Sequence, residues 1–253
     1  MKLCSPFIFL TFLFFSLDLC SQNFIAEYHY HYQKNNSPVA FSKNAFLSVN
    51  SQYSLFEIKN DDYKGYTTEK LIDPKSGEEV VVFKSNKSRF VYKDLRSKTL
   101  INKEKILLDE FATLDSLNIF KWELLADEQS TILGFICKKA KLRYRGRNYI
   151  AYYCPDIPCQ NGPFKFHGLP GLIMEIQTTD EDLNFFIRIK RFDISTKNLT
   201  IENPYVNEKK IYTWDEYTDM YRMKYNEYNS YSNGNDNKSI GLPKGKIEII
   251  IND

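Results

Sequence analysis

The sequence predicts a mainly β fold: a curved antiparallel sheet or open bowl-like barrel, with one C-terminal amphipathic helix packed on it. Three observations carry this. Among 253 residues there are 18 Tyr and 19 Phe, which favour pleated, half-buried surfaces. Apolar and polar residues alternate over short runs separated by turn signals. Clear helical spacing with a start signal occurs only after Thr213.

Taken in order, Tyr28-His-Tyr-His-Tyr32 puts three tyrosines on one strand face and two histidines on the other. Phe46-Leu-Ser-Val-Asn50 and Tyr53–Ile58 read as a strand or a bent pair. Val80–Phe83, Phe90–Tyr92 and Thr99–Leu107 continue the alternation, with Asp73-Pro-Lys-Ser-Gly77 as a turn. Ile119–Leu124 alternates as well. The clearest hairpin runs from Ile132 to Tyr153. If Arg145 and Gly146 form its two-residue turn, Tyr144 pairs with Arg147 and, counting outward, Cys137 faces Cys154. A two-residue slip would put Cys154 opposite Lys139 instead.

Beyond the hairpin, Pro155, Pro158, Pro163 and Pro170 each remove a ladder donor and interrupt regular pairing. Pro170-Gly171 suits the centre of a type II turn. Leu172–Ile176 then resumes as a strand, and Asn184–Ile194 forms the next one. Thr213-Trp-Asp-Glu216 has the capping-box pattern, and Trp214, Tyr217, Tyr221, Tyr225 and Tyr228 make one aromatic stripe facing the sheet. Residues 229–240 read as polar and flexible, and Lys246–Asn252 as a closing or edge strand.

The first residues read as an export signal. Lys2 supplies the positive end and Phe7–Phe15 an apolar core shorter than the ~20 residues needed to span a bilayer. The expected organisation is a signal peptide over residues 1–21 and a single β-rich domain over 22–253, located in the periplasm or secreted. A lipid anchor at Cys20 is the alternative, although Asp18 and Leu19 suit it poorly. No later stretch is apolar enough to cross a membrane. The net charge of +2 excludes an electrostatically driven nucleic-acid binder, which needs a basic face.

Three cysteines follow the signal. Cys137–Cys154 is the preferred bridge, leaving Cys159 free; Cys154–Cys159 is the alternative, and no bridge at all a third. Zinc spacing is absent, and no metal or cofactor is expected. His29 and His31 share a strand face but lack a clear third ligand. His167 is a base candidate that needs a nearby acid or nucleophile, and Cys159 is a thiol that His167 would have to activate. Asp180-Glu-Asp182 reads as a solvated turn rather than a calcium loop. Lys141, Arg143, Arg145 and Arg147 gather at the hairpin tip, where they could meet anionic lipid or sugar. Gly168 and Gly171 precede a strand rather than a helix, so they do not read as a phosphate cradle.

Tyr152-Tyr-Cys-Pro-Asp-Ile-Pro158, Gly162-Pro163-Phe-Lys-Phe166 and Gly168-Leu169-Pro170-Gly171-Leu172-Ile173 resemble the signature of the GLPGLI family of exported Bacteroidetes-type proteins. Trp122, Gly134–Ala140 and Gly146-Arg147 stand upstream in that family's order. The resemblance spans about residues 22–230 and departs from the family at Cys154 and Cys159, where other residues are commoner. It implies an exported β-rich protein whose activity is not established. Some secreted bacterial enzymes carry a related-looking bowl-shaped β domain, which points to an accessory role. The expected function is a non-enzymatic, envelope-associated binding module for a peptide, glycan or lipid, or an unknown envelope protein partner. The alternative is a hydrolase or thiol enzyme using His167 with Cys159 or a nearby acid. The family motif itself reads as a structural corner between strands.

Overall fold

The computed structural model describes residues 23–35, 37, 39–59, 67–72, 79–84, 88–195, 198–232, 242–245 and 247–251. The signal segment, the Asp73–Gly77 turn and residues 233–241 lie outside the described residues.

Short alternating runs become strands: Asn23–Lys34 (β1), Val39–Val49 (β2), Tyr53–Ile58 (β3), Thr67–Ile72 (β4), Glu79–Lys84 (β5), Arg89–Asp94 (β6), Thr99–Ile106 (β7) and Asp109–Ser116 (β8). Glu123–Ile132 (β9), Phe135–Tyr144 (β10), Arg147–Cys154 (β11), Leu172–Thr178 (β12), Leu183–Ser195 (β13) and Ile211–Thr213 (β14) follow, then helix Trp214–Ser232 (α1). They form one curved sheet in the order β14-β8-β7-β6-β3-β2-β1-β13-β12-β11-β10-β9, with β5 joining β2 and carrying β4. The sheet is open, ending at β14 and β9. Its pairs are antiparallel except β14 with β8 and β2 with β5.

The alternation sets which face is inner. Along β1, Tyr28 and Tyr30 are buried while His29 and His31 stand half-buried on the outer face. Tyr28, Leu47 and Phe56 lie on neighbouring strands of the inner face, where Tyr28 meets Phe56 edge-on at 6.1 Å. The β10–β11 hairpin has the expected register, with Tyr144 opposite Arg147 and Lys138 opposite Tyr153. Its turn residues Arg145 and Gly146 both have positive φ (46° and 75°), as a type I′ turn requires.

Helix α1 starts as the capping box demands. The Thr213 amide donates to Glu216 Oε2 at 2.8 Å, and the Glu216 amide donates to Thr213 Oγ1 at 3.2 Å. Tyr217 and Tyr221 from its stripe are buried against Ile106 and Ile250, with Phe111 alongside. The helix therefore packs on the β7–β8 side of the sheet.

Three local expectations change. Ile119–Leu124 is not one strand: Leu117–Ile119 forms a 3-10 turn capped by Ser116, and β9 begins only at Glu123. Phe120 and Trp122 instead reach Phe166, with ring centroids 5.9 and 6.3 Å away. The polar stretch from Asn229 is helical as far as Ser232. Near the C-terminus the described residues form no strand. The chain doubles back, joined by a Gly245–Ile249 bridge and by the Ile250 and Ile251 amides, which donate to the Lys244 carbonyl at 2.9 Å.

The Pro170-Gly171 corner is tighter than a type II turn. The Gly171 amide donates to the Leu169 carbonyl at 2.8 Å, a three-residue turn centred on Pro170. Gly171 has φ +149°, and a Cβ there would lie 2.1 Å from the Cys154 carbonyl oxygen. The atoms it would meet are all backbone of Cys154 and Pro155, so no flexible side chain can yield. Gly171→Ala should therefore destabilise the fold by roughly 3 kcal/mol or more in urea unfolding, against about 1 kcal/mol for an average substitution. A loss no larger than that average would show that the corner relaxes.

Candidate functional site

The segment between β11 and β12 folds inward and fills part of the bowl. Phe164, Phe166 and Leu169 are buried there, with Phe166 edge-on to Tyr149 at 5.0 Å. One side chain organises it. Lys93, on the inner face of β6 and fully buried, donates from Nζ to Asn161 Oδ1 (2.9 Å), the Gly162 carbonyl (2.8 Å) and the Phe166 carbonyl (2.8 Å). Three acceptors match the three protons of an ammonium; a neutral amine would leave one unfilled. Burial pulls the Lys93 pKa down to about 7. Two further bonds fix the segment: the Tyr28 hydroxyl donates to the Ile173 carbonyl (2.8 Å), and the Trp122 indole to the His167 carbonyl (2.8 Å).

A second buried cation, Lys165, joins this segment to the rest of the bowl. Its Nζ donates to Glu104 Oε1 on β7 (2.7 Å) and to both oxygens of Glu248 near the C-terminus (3.0 and 2.9 Å). Arg145 also donates to Glu248 (3.1 Å) and pairs with Asp115 on β8. The Arg145 guanidinium lies 3.3 Å from the centroid of the Trp214 ring. Burial opposes the charge on Lys165, but Glu104 and Glu248 outweigh it and hold the ammonium above its ordinary range. Burial likewise raises the Glu104 carboxyl, and Lys165 outweighs that, holding it below the usual range.

Between the inner sheet face, α1 and the C-terminal segment lies a cavity of about 490 Å³. This falls within the size range of small-molecule sites. Tyr30, Tyr32 and Phe41 line it from the sheet, Phe164 from the inward segment, and Trp214, Tyr217 and Tyr221 from the helix. Ile58, Ile247 and Ile250 complete the apolar wall. Lys43, Arg89, Glu104, Lys105 and Glu248 supply charge.

The residues singled out in the sequence are placed as follows. Gly162 must be small, because a Cβ would fall 2.7 Å from the Ile173 side chain. Pro163, Leu169, Leu172 and Ile173 are buried with it, while Gly168 and Pro170 are exposed. His167 is buried, its Nδ1 has no hydrogen-bond partner, and burial followed by Lys93 and Lys98 pushes its pKa down to about 3. The charges acting on it are cations, so its basicity is suppressed. Cys159 is buried near Lys93 and Tyr28. The three cysteines among the described residues are thiols; those of Cys137 and Cys154 share a hydrogen bond, and burial pushes Cys137 up to about 12.

On the outer face, His29 and His31 stack on Phe186 at 5.6 and 4.8 Å, and His29 meets Ser42 at 3.1 Å. Two of the four hairpin-tip cations turn inward: Arg145 as above, and Arg147 to Asp180 and Asp182. Asp180 also accepts from the Asn148 side chain at 2.9 Å, so the acidic turn acts as a clamp. The sequence signalled the aromatic stripe of α1. It gave no sign of Lys93, Glu104 and Glu248, ordinary charged residues in alternating runs, and it offered Lys165 only as a member of the Gly162–Phe166 motif, with no role for its charge.

Two outcomes follow. A lysine whose pKa falls on folding binds fewer protons in the folded than the unfolded state, so stability rises with pH above the folded pKa. The unfolding free energy of the wild type relative to Lys93→Met should therefore increase from pH 7 toward pH 9; a flat difference would mean that the three oxygen acceptors keep the ammonium charged. Peptide mass mapping without reductant, after refolding with a disulfide oxidant, should recover Cys137 joined to Cys154 and Cys159 as a thiol. Recovery of Cys154 joined to Cys159 would overturn that pairing.

Comparison with known proteins places the likeness on these same elements. A family model described as "Protein of unknown function (Porph_ging)" matches residues 143–175, from the end of β10 through the inward segment into β12. No curated protein matches the sequence. Among solved structures, PNGF-II in space group P21 is similar over 79% of this chain at 12% identity, with a TM-score of 0.51. PNGF-II in space group C2 gives 0.49 at 13% identity over the same share. The chain spans about a third of that protein, 33% of its length. At this identity, what is shared with PNGF-II is the fold.

Proposed function

We propose that this is an exported, envelope-associated protein of the GLPGLI family that works as a binding or accessory module. Its ligand, a peptide, glycan or lipid, would sit in the cavity between the sheet, α1 and the C-terminal segment. The observation that carries this reading is the cavity of about 490 Å³ with seven aromatic rings in its wall. The state of the charged groups favours binding over catalysis. Lys165 and Arg145 engage the cavity carboxylates Glu104 and Glu248, and His167 is held uncharged beside two cations. The match over residues 143–175 falls on the GLPGLI-like segment, which supports the family reading.

Trp122 and Trp214 are the two tryptophans of the sequence, so Trp122→Phe leaves Trp214 as a single reporter in the cavity wall. Titration of that variant with a long-chain acyl compound, a neutral oligosaccharide and an unstructured peptide should give a saturable change in Trp214 emission with one of them. No saturable change with any of the three would sink the binding reading.

A further inference from the structure

The polar groups around the cavity are already engaged within the protein. The Tyr217 hydroxyl donates to the Lys105 carbonyl (3.1 Å) and the Tyr221 hydroxyl to the Pro243 carbonyl (2.6 Å), so these residues offer ring rather than hydroxyl to an occupant. Lys165 bonds both Glu104 and Glu248, and Lys105 pairs with Glu110 at 3.2 Å. A polyhydroxylated ligand needs many convergent donors and acceptors. Taking these groups from their present partners would leave buried polar atoms unpaired, at about 1–3 kcal/mol each.

Arg89 is different. It lies on the inner face at the start of β6, lines the cavity and is exposed, which puts it where the cavity meets solvent. Its side-chain hydrogen-bond partner is the Tyr30 phenol. Among the described residues no carboxylate is within ion-pair distance of it, and Glu104, whose charge it feels, is committed to Lys165. Lys43 adds a second cation to the same wall.

We propose that the cavity takes an amphiphile with an apolar body and a single anionic head, the body lying among the rings and the head meeting Arg89. The proposal rests on the binding reading above and names its ligand class. A long-chain carboxylate and a monoacyl phospholipid share this chemistry.

The test uses the Trp122→Phe chain with dodecanoate, dodecanol, a monoacyl phosphatidic acid and a linear neutral oligosaccharide, each lipid below its micelle concentration. Dodecanoate should bind saturably and at least tenfold more tightly than dodecanol, since one charge-assisted contact of about 1.4 kcal/mol corresponds to that factor. Adding Arg89→Gln should bring dodecanoate to the level of dodecanol and leave dodecanol unchanged. Tighter binding of the monoacyl phosphatidic acid than of dodecanoate would identify a lipid headgroup as the natural head; the reverse would identify a free acid. Equal affinity for dodecanoate and dodecanol, or a preference that survives Arg89→Gln, overturns the proposal. Binding of the oligosaccharide alone also overturns it while leaving the binding reading intact, whereas no binding by any compound removes both.

Discussion

The fold depends on one buried lysine side chain. Lys93 reaches from β6 across the bowl and collects Asn161 Oδ1 and two carbonyls of the inward segment. That segment carries three prolines before its corner, so its carbonyls cannot all be satisfied by a ladder, and an unpaired buried carbonyl is costly. Lys93 supplies those donors from a neighbouring strand. With the segment held, Phe164, Phe166 and Leu169 can pack on the inner sheet face, and β12 leaves at the register that pairs Tyr153 with Ile173. The Gly-Leu-Pro-Gly corner is the exit from this arrangement. Of its two glycines, Gly168 takes a positive φ of 95° with open space around it, and Gly171 allows the close approach to the Cys154 carbonyl.

A line of alternating charge, Asp115, Arg145, Glu248, Lys165 and Glu104, then ties five parts of the chain together. Its members come from β8, the β10–β11 turn, the C-terminal segment, the inward segment and β7. Burying so many charges costs desolvation, and each charge is compensated because it has a partner on at least one side. Trp214 lies over Arg145 and 5.1 Å from Lys165, so the first turn of α1 is fixed to the same line. Glu104, Glu248 and Trp214 of this arrangement also stand in the cavity wall.

Much of the architecture was legible in the sequence. The β10–β11 turn and its register followed from Arg145-Gly146, because a two-residue turn leaves no freedom in pairing. The capping box at Thr213 and the inward face of Tyr28 and Tyr30 followed from local spacing. The site was less legible. In Phe90-Val-Tyr-Lys, period two offers Phe90 and Tyr92 as the core face, yet Lys93 is fully buried and Phe90 only partly so. In Lys246-Ile-Glu-Ile, a strand reading sends Glu248 to solvent, but Lys165 and Arg145 draw it inward and the ladder is not formed. Such placements depend on partners far along the chain, 68 positions for Lys93 and Asn161 and 103 for Arg145 and Glu248, and no local pattern records them.

The open sheet also has a consequence for traffic into its interior. Where the β8 side approaches the β10–β11 turn, the seam is made by the Arg145 side chain reaching Asp115 rather than by strand pairing. A barrel sealed by a hydrogen-bonded ladder must unzip several backbone bonds together before anything enters sideways. A seam of side chains can part by rotation about a few χ angles and close again with the backbone unmoved. Here that side chain is Arg145, so parting the bowl at this point means giving up its bonds to both Asp115 and Glu248.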